Sequence, residues 1–88
     1  MCLVKIYTDT SLSALSSYSN LLYFHSESNQ WVIWCSEITC QRIALIGSLV
    51  QLNGDPSGTI FIVPFCPGHA SSCALIDIGP VVPVPKFS

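Results

Sequence analysis

The fold depends on how the segment at residues 37–52, EITCQRIALIGSLVQL, is interpreted. Its polar or small residues recur at steps of four and three, which is one stripe of an α-helix, and larger aliphatic residues cover the opposite side. The strict alternation expected of a half-buried strand fails at residues 45–46 and 49–50. We therefore predict the main helix over residues 37–52, although Gly47 costs a helix up to about 1 kcal/mol. The alternative is a strand of a long hairpin with its loop at residues 53–58, and it leaves an all-β small barrel or sandwich open.

The segments around this helix predict a mainly antiparallel sheet. β-Branched and aromatic runs, ended by turn-forming residues, indicate strands at residues 2–7, 21–25, 30–35, 59–65 and 74–78. A polar linker of hairpin length joins the second of these runs to the third. Leucines near helical spacing, weakened by many serines, indicate a weak helix at residues 11–20. Together these elements predict an α+β fold, a small antiparallel-dominated sheet with helices in a ferredoxin-like or similar sandwich.

The length and the last residues define the domain organisation. With 88 residues the chain has room for one hydrophobic core, and we predict a single globular domain over residues 1–79. Residues 80–88, PVVPVPKFS, form a proline-rich C-terminal tail. Its PxxP pattern with a basic neighbour is typical of segments that bind the aromatic-lined grooves of SH3-type domains. The alternative is that the same residues lie across the domain as an apolar strap.

The composition excludes several classes of protein. Hydrophobic residues make up 50% of the chain and charged residues only 9%, against about 25% charged in an average soluble domain. Disordered chains have the opposite balance, and no apolar run reaches the roughly 20 residues of a membrane span. Three basic residues and a net charge of −2 make nucleic acid a poor partner. Five cysteines cannot all pair internally, so we expect free thiols in a reducing compartment, the cytoplasm.

The same imbalance predicts an exposed apolar surface, and contiguous apolar patches usually mark an interface. The residues expected there are Tyr23, Trp31, Trp34, Val81, Val82, Val84 and Phe87. The leading hypothesis is therefore a non-enzymatic protein-interaction module with no cofactor and no catalytic residues. Its partner is a second copy in a homodimer or another protein, with an apolar small ligand as a further option. Overprinted viral frames and recently born reading frames also produce such a composition, and we expect their products to bind partner proteins.

The spacing of cysteine and histidine supplies two other hypotheses. Zinc takes four thiolate or imidazole ligands in a tetrahedron, and the candidates are Cys35, Cys40, Cys66, His69 and Cys73. A zinc-stabilised binding module would use them, and the competing interpretation is that these cysteines carry no metal and fill the core. The third hypothesis is a small cysteine enzyme in which His69 activates Cys66. No second thiol stands at the position that a thioredoxin-like motif requires.

Overall fold

The described residues form an antiparallel sheet with two short helices. The structure is a computed structural model, and it describes residues 3–6, 16–28, 32–70 and 74–87. The elements in chain order are β1 (Leu3–Ile6), β2 (Ser16–Ser17), α1 (Tyr18–Glu27), β3 (Ile46–Leu52), β4 (Ile60–Phe65), α2 (Pro67–Ala70), β5 (Ile76–Asp77) and β6 (Val84–Phe87). The strands lie in the order β5-β1-β3-β4-β6, and β2 pairs with β3 beside this path. The predicted α+β class with an antiparallel sheet is therefore confirmed, and the all-β alternative is wrong.

The core lies on both faces of the central pair, β3 and β4. Leu49 and Ile62 are register partners on one face, where they pack against Phe24 of α1. Val50 and Val63 point to the opposite face and form a second cluster that includes two of the cysteines. A strand that is covered on both faces has no polar side, which explains the continuous apolar sequence of β4.

The predicted main helix over residues 37–52 is wrong, since its second half is β3 and its first half is irregular. The two faces of β3 are both buried, so apolar residues occur in adjacent positions and imitate a helical pattern. Gly47 lies where α1 meets the sheet, because a Cβ there would stand 2.5 Å from the backbone of Asn20 and Leu21. The hairpin alternative describes this region correctly. Its turn follows Leu52, whose carbonyl accepts the Asp55 N–H at 3.2 Å.

The predicted hairpin between residues 21–25 and 30–35 is also wrong, because residues 21–25 belong to α1. Leu21 and Phe24 are buried while Leu22 is half exposed, which is the pattern of a helix with one packed face. Of the other run, residues 32–35 are described, and they contribute one isolated bridge, between Trp34 and Ile43. Tertiary packing here overrides the strand preference of the aromatic residues.

The predicted weak helix over residues 11–20 is displaced. Residues 11–15 lie outside the described part of the chain, residues 16–17 form β2, and residues 18–20 form the first turn of α1. Neither helix in the described residues is long and apolar enough to cross a membrane.

The order of the strands differs from the ferredoxin-like arrangement that the sequence suggests. That arrangement is built from split βαβ units, in which the two strands joined by a helix are parallel. Here β2 and β3, the strands on either side of α1, pair antiparallel, and β1 is also an antiparallel neighbour of β3, with Ile6 opposite Val50. The predicted strands at residues 2–7, 59–65 and 74–78 are present as β1, β4 and the shorter β5.

The proline-rich tail contributes the last strand of the sheet. Residues 84–87 pair with β4 as β6, with Val84 opposite Ile62 and Pro85 opposite Phe61. Proline is tolerated there because β6 is an edge strand and needs no hydrogen bond on its outer side. The segment thus lies against the domain, as in the strap alternative.

Candidate metal centre

The first half of the centre is one turn of helix at the end of β4. Cys66 directly follows β4, and its carbonyl accepts the N–H groups of His69 at 3.1 Å and Ala70 at 2.9 Å. Residues three apart in such a turn lie on the same side. The short α2 therefore places the Cys66 thiol beside the His69 ring.

The second half is a loop between two short extended segments, residues 33–35 and 42–44. The Cys35 N–H donates to the Arg42 carbonyl at 2.8 Å, which closes the loop. Inside it, the Cys40 N–H donates to the Glu37 carbonyl at 2.9 Å, which forms a turn. This turn brings Cys40 back toward Cys35, although four residues separate the two in sequence. We call residues 36–41 the cysteine loop.

Two backbone hydrogen bonds fix the cysteine loop on the sheet. The Ser36 N–H donates to the Pro64 carbonyl of β4 at 3.0 Å, and the Ile38 N–H donates to the Asp77 carbonyl of β5 at 2.9 Å. The first contact holds Cys35 next to the end of β4, where Cys66 lies. Residues separated by 26 positions or more thereby meet at one point.

The distances among the four side chains suit a tetrahedral ion. His69 Nδ1 is 3.3 Å from Cys66 Sγ and 3.5 Å from Cys35 Sγ. Cys40 Sγ is 3.9 Å from Cys66 Sγ, and all four donor atoms lie within 4.8 Å of one another. Zinc with bonds of about 2.3 Å to sulfur and about 2.0 Å to nitrogen separates its ligand atoms by about 3.5–3.8 Å. The side chains need to move only slightly to reach that geometry.

Burial and hydrogen bonding shift the pKa values of the Cys35 and Cys66 thiols in opposite directions. Burial raises the pKa of Cys35 from 9.0 to about 12, although the backbone N–H groups of Cys66 and Glu37 point to its sulfur. Burial also acts to raise the pKa of Cys66, but hydrogen bonds from the His69 backbone and side chain, and then from Cys35 and Cys40, outweigh it. The net result lowers the Cys66 pKa from 9.0 to about 6. One thiolate is thus favoured before any metal binds.

Glu37 closes the outer side of the centre, and sequence reasoning missed it. Its Oε2 atom lies 3.8 Å from His69 Nε2, the ring nitrogen that does not face the thiols. Its carboxylate accepts hydrogen bonds from the Thr39 N–H at 3.1 Å and from the Thr39 hydroxyl at 2.8 Å. The Thr39 backbone and then side-chain hydrogen bonds lower the pKa of Glu37. A histidine that binds metal usually donates its other ring N–H to a carboxylate or a carbonyl. The sequence feature that could have indicated Glu37 is therefore its position between Cys35 and Cys40, two of the predicted ligands.

The structure places the predicted metal ligands as follows. It brings together Cys35, Cys40, Cys66 and His69, while Cys73 lies outside the described residues. Cys35 and Cys66 are buried, and Cys40 and His69 are half-buried. The three cysteines in the described residues, Cys35, Cys40 and Cys66, are all free thiols.

The predicted interface residues are spread over several environments. Trp34 and Val82 are exposed, Tyr23 and Val81 are half-buried, and Val84 is buried beside Ile62. Trp31 lies outside the described residues, and Phe87 is the last residue of β6.

Several large hydrophobic side chains are exposed on and beside the cysteine loop. The exposed large hydrophobic residues of the loop and of its two flanking segments are Ile33, Trp34, Ile38 and Ile43, each more than half exposed. A groove of about 640 Å³ runs between this region and residues 78–81, and Cys35, Glu37 and Cys40 form part of its wall. The candidate metal centre and these exposed hydrophobic side chains therefore lie on the same stretch of chain, the cysteine loop and its two flanking segments.

Comparison with protein-family models, with curated proteins and with solved structures finds no match for this chain. The chemistry of the four side chains is informative by itself. Thiolate and imidazole are the ligands that zinc prefers, and four of them complete its tetrahedron. As a nucleophile, Cys66 would need access to a substrate, but it is only 1% exposed.

Proposed function

We propose that this chain is a zinc-stabilised, non-enzymatic binding module. The observation that carries the proposal is the cluster of Cys35, Cys40, Cys66 and His69, whose donor atoms lie within 4.8 Å of one another. Three thiolates and one imidazole fill all four positions of a tetrahedral zinc ion. An ion with no open position cannot activate water, so a structural role is favoured over a catalytic one.

A metal at this place would tie together segments that are far apart in the chain. It would link the cysteine loop to the end of β4 and so add a cross-link to a small domain. Domains of this size bury a modest fraction of their surface, and a structural zinc ion contributes folding free energy directly. In this role zinc keeps the cysteine loop in one conformation.

The binding surface in this proposal consists of the exposed hydrophobic side chains on the cysteine loop and its two flanking segments. Trp34 and Ile38 are both 58% exposed, and exposed tryptophan is the residue type most enriched where binding energy concentrates. We propose a second copy of this chain as the partner, in a homodimer, with another protein or an apolar small ligand in the groove as the alternatives. The free thiols favour a reducing compartment, and we propose the cytoplasm.

The experiment is to measure zinc in protein purified with a reductant and without chelators. We expect about one zinc ion per chain by elemental analysis, and a lower melting temperature after removal of the ion by a strong chelator. The matched control is Cys73→Ser, which leaves the four clustered ligands in place and should retain the ion. A wild-type chain that contains no zinc and takes up none when refolded with it would overturn the proposal.

A further inference from the structure

We propose that Glu37 is a positioning residue of the metal centre, whose carboxylate accepts a hydrogen bond from His69 Nε2–H and holds the ring with Nδ1 directed at the thiolates. The inference rests on the proposed zinc site. It adds a residue that is not itself a ligand and on which the zinc affinity depends.

The two nitrogens of the His69 ring face different partners. Nδ1 lies 3.3 Å from Cys66 Sγ and 3.5 Å from Cys35 Sγ, on the inner side of the centre. Nε2 lies 3.8 Å from Glu37 Oε2, on the outer side. A hydrogen bond needs about 2.7–3.2 Å, so a movement of less than about 1 Å forms it when the metal draws the ring into place.

The carboxylate is held in this position before the metal arrives. Thr39 donates from its backbone N–H to Oε1 at 3.1 Å, and its hydroxyl lies 2.9 Å from Oε1 and 2.8 Å from Oε2. The side chain of Glu37 is 18% exposed. A neighbouring carboxylate, Asp77, accepts the Gly79 N–H at 2.9 Å and so stabilises a different turn.

The chemistry of a ligand histidine explains what this carboxylate does. An imidazole that binds metal through Nδ1 carries its proton on Nε2, and a carboxylate that accepts this proton fixes the tautomer and raises the basicity of the ligand nitrogen. Glu37 thus acts on His69 from outside the coordination sphere.

The test compares Glu37→Gln with Asp55→Asn in the full chain loaded with zinc. Both changes remove one negative charge, but Asp55 lies in the β3–β4 turn, where it accepts the Ser57 N–H at 3.0 Å. We expect Glu37→Gln to weaken zinc binding by about 10–100-fold in competition with a chromophoric chelator. Asp55→Asn should change it by less than about twofold, because a distant surface charge is screened by salt.

A second readout separates positioning from folding. Long-range proton–nitrogen NMR spectra of the zinc-loaded protein should show His69 with its proton on Nε2, and Glu37→Gln should move this proton upfield because its hydrogen bond weakens. If Glu37→Gln does not fold, the variant Thr39→Val tests the role of Glu37 instead. It keeps the charge and the backbone N–H donor but removes the hydroxyl that holds the carboxylate, and it should weaken zinc binding by about threefold or more.

The outcomes of the two proposals are distinguishable. Tight zinc binding by the wild type, with equal affinity and an unmoved Nε2 proton in Glu37→Gln, overturns the role of Glu37 and leaves the zinc site intact. If Glu37→Gln does not fold, a zinc affinity of Thr39→Val equal to that of the wild type also overturns the role of Glu37 and leaves the zinc site intact. A wild-type chain without affinity for zinc overturns the proposed function and this inference together.

Discussion

Cys66 Sγ lies 3.3 Å from His69 Nδ1 across the single turn of α2. The pair is local in sequence, but its neighbours Cys35 and Cys40 come from a loop more than 20 residues earlier. Hydrogen bonds from that loop to β4 and β5 bring the two halves together. If these four side chains bind a metal, as proposed, the two distant segments would couple its binding to the tertiary fold.

Removing a sulfur ligand should destabilise the protein much more in the presence of zinc than in its absence. In saturating zinc we expect Cys35→Ser or Cys40→Ser to lower the free energy of unfolding by about 2.7 kcal/mol or more, the equivalent of a hundredfold loss of affinity. Denaturant titrations with and without a chelator measure this difference, and Cys73→Ser is the control. A loss of equal size in the chelator would mean that these thiols act as core packing.

The stability of the metal-free chain should pass through a maximum near pH 9. The Cys66 pKa falls from 9.0 to about 6 on folding, so the unfolded chain binds more protons and stability rises as the pH increases from about 6 to 9. The Cys35 pKa rises from 9.0 to about 12, so the native chain binds more protons above pH 9 and stability falls there. Denaturant titrations across this range in a chelator measure the curve.

The matched control for this pH profile is Cys66→Ser. This variant should lose the rise between about pH 6 and 9 and keep the decline above pH 9. An unchanged rise in the variant would contradict the assignment to the Cys66 thiolate.

The close approach of α1 to the sheet should make Gly47 sensitive to substitution. A Cβ on Gly47 would stand 2.5 Å from backbone atoms of Asn20 and Leu21, and overpacking of this kind costs about 1–3 kcal/mol. Gly68→Ala is the matched control, since its Cβ would meet no atom closer than 3.7 Å. Thermal unfolding of both variants measures the contrast, and equal stabilities would show that α1 does not rest on Gly47.

The apolar surface of the cysteine loop should mediate self-association. Size-exclusion chromatography with light scattering at several concentrations should show a dimer that weakens on dilution. We expect Trp34→Glu to raise its dissociation constant at least about tenfold. Leu22→Glu, on the exposed side of α1 with a similar exposure of 51%, should leave the dissociation constant unchanged. A stable monomer at all concentrations would contradict the homodimer.

Local features of the sequence predicted the parts of the structure that depend on local chemistry. The apolar run of β4 predicts a strand buried on both faces because no polar residue interrupts it. The closeness of Cys66 and His69 in sequence predicts a neighbouring thiol and imidazole, and one turn of α2 places them side by side. That Cys35 and Cys40 join this pair depends on the hydrogen bond from Ser36 to Pro64, which no spacing reveals.

The wrong predictions fall where tertiary packing decides. Residues 37–52 combine helical spacing with strand-forming residues, and only the contact of α1 with Gly47 explains why a glycine is needed inside β3. Residues 21–25 favour a strand locally but form a helix because Leu21 and Phe24 fill one packed face. Glu37 was expected to begin a helix, and its relation to His69 exists only in the folded chain.

X-ray absorption at the zinc edge of the purified, zinc-loaded chain tests the central claim most directly. The proposed site predicts three sulfur neighbours at about 2.3 Å and one nitrogen neighbour at about 2.0 Å. A first shell made of oxygen and nitrogen atoms, or one made of four sulfur atoms, would contradict a centre formed by Cys35, Cys40, Cys66 and His69.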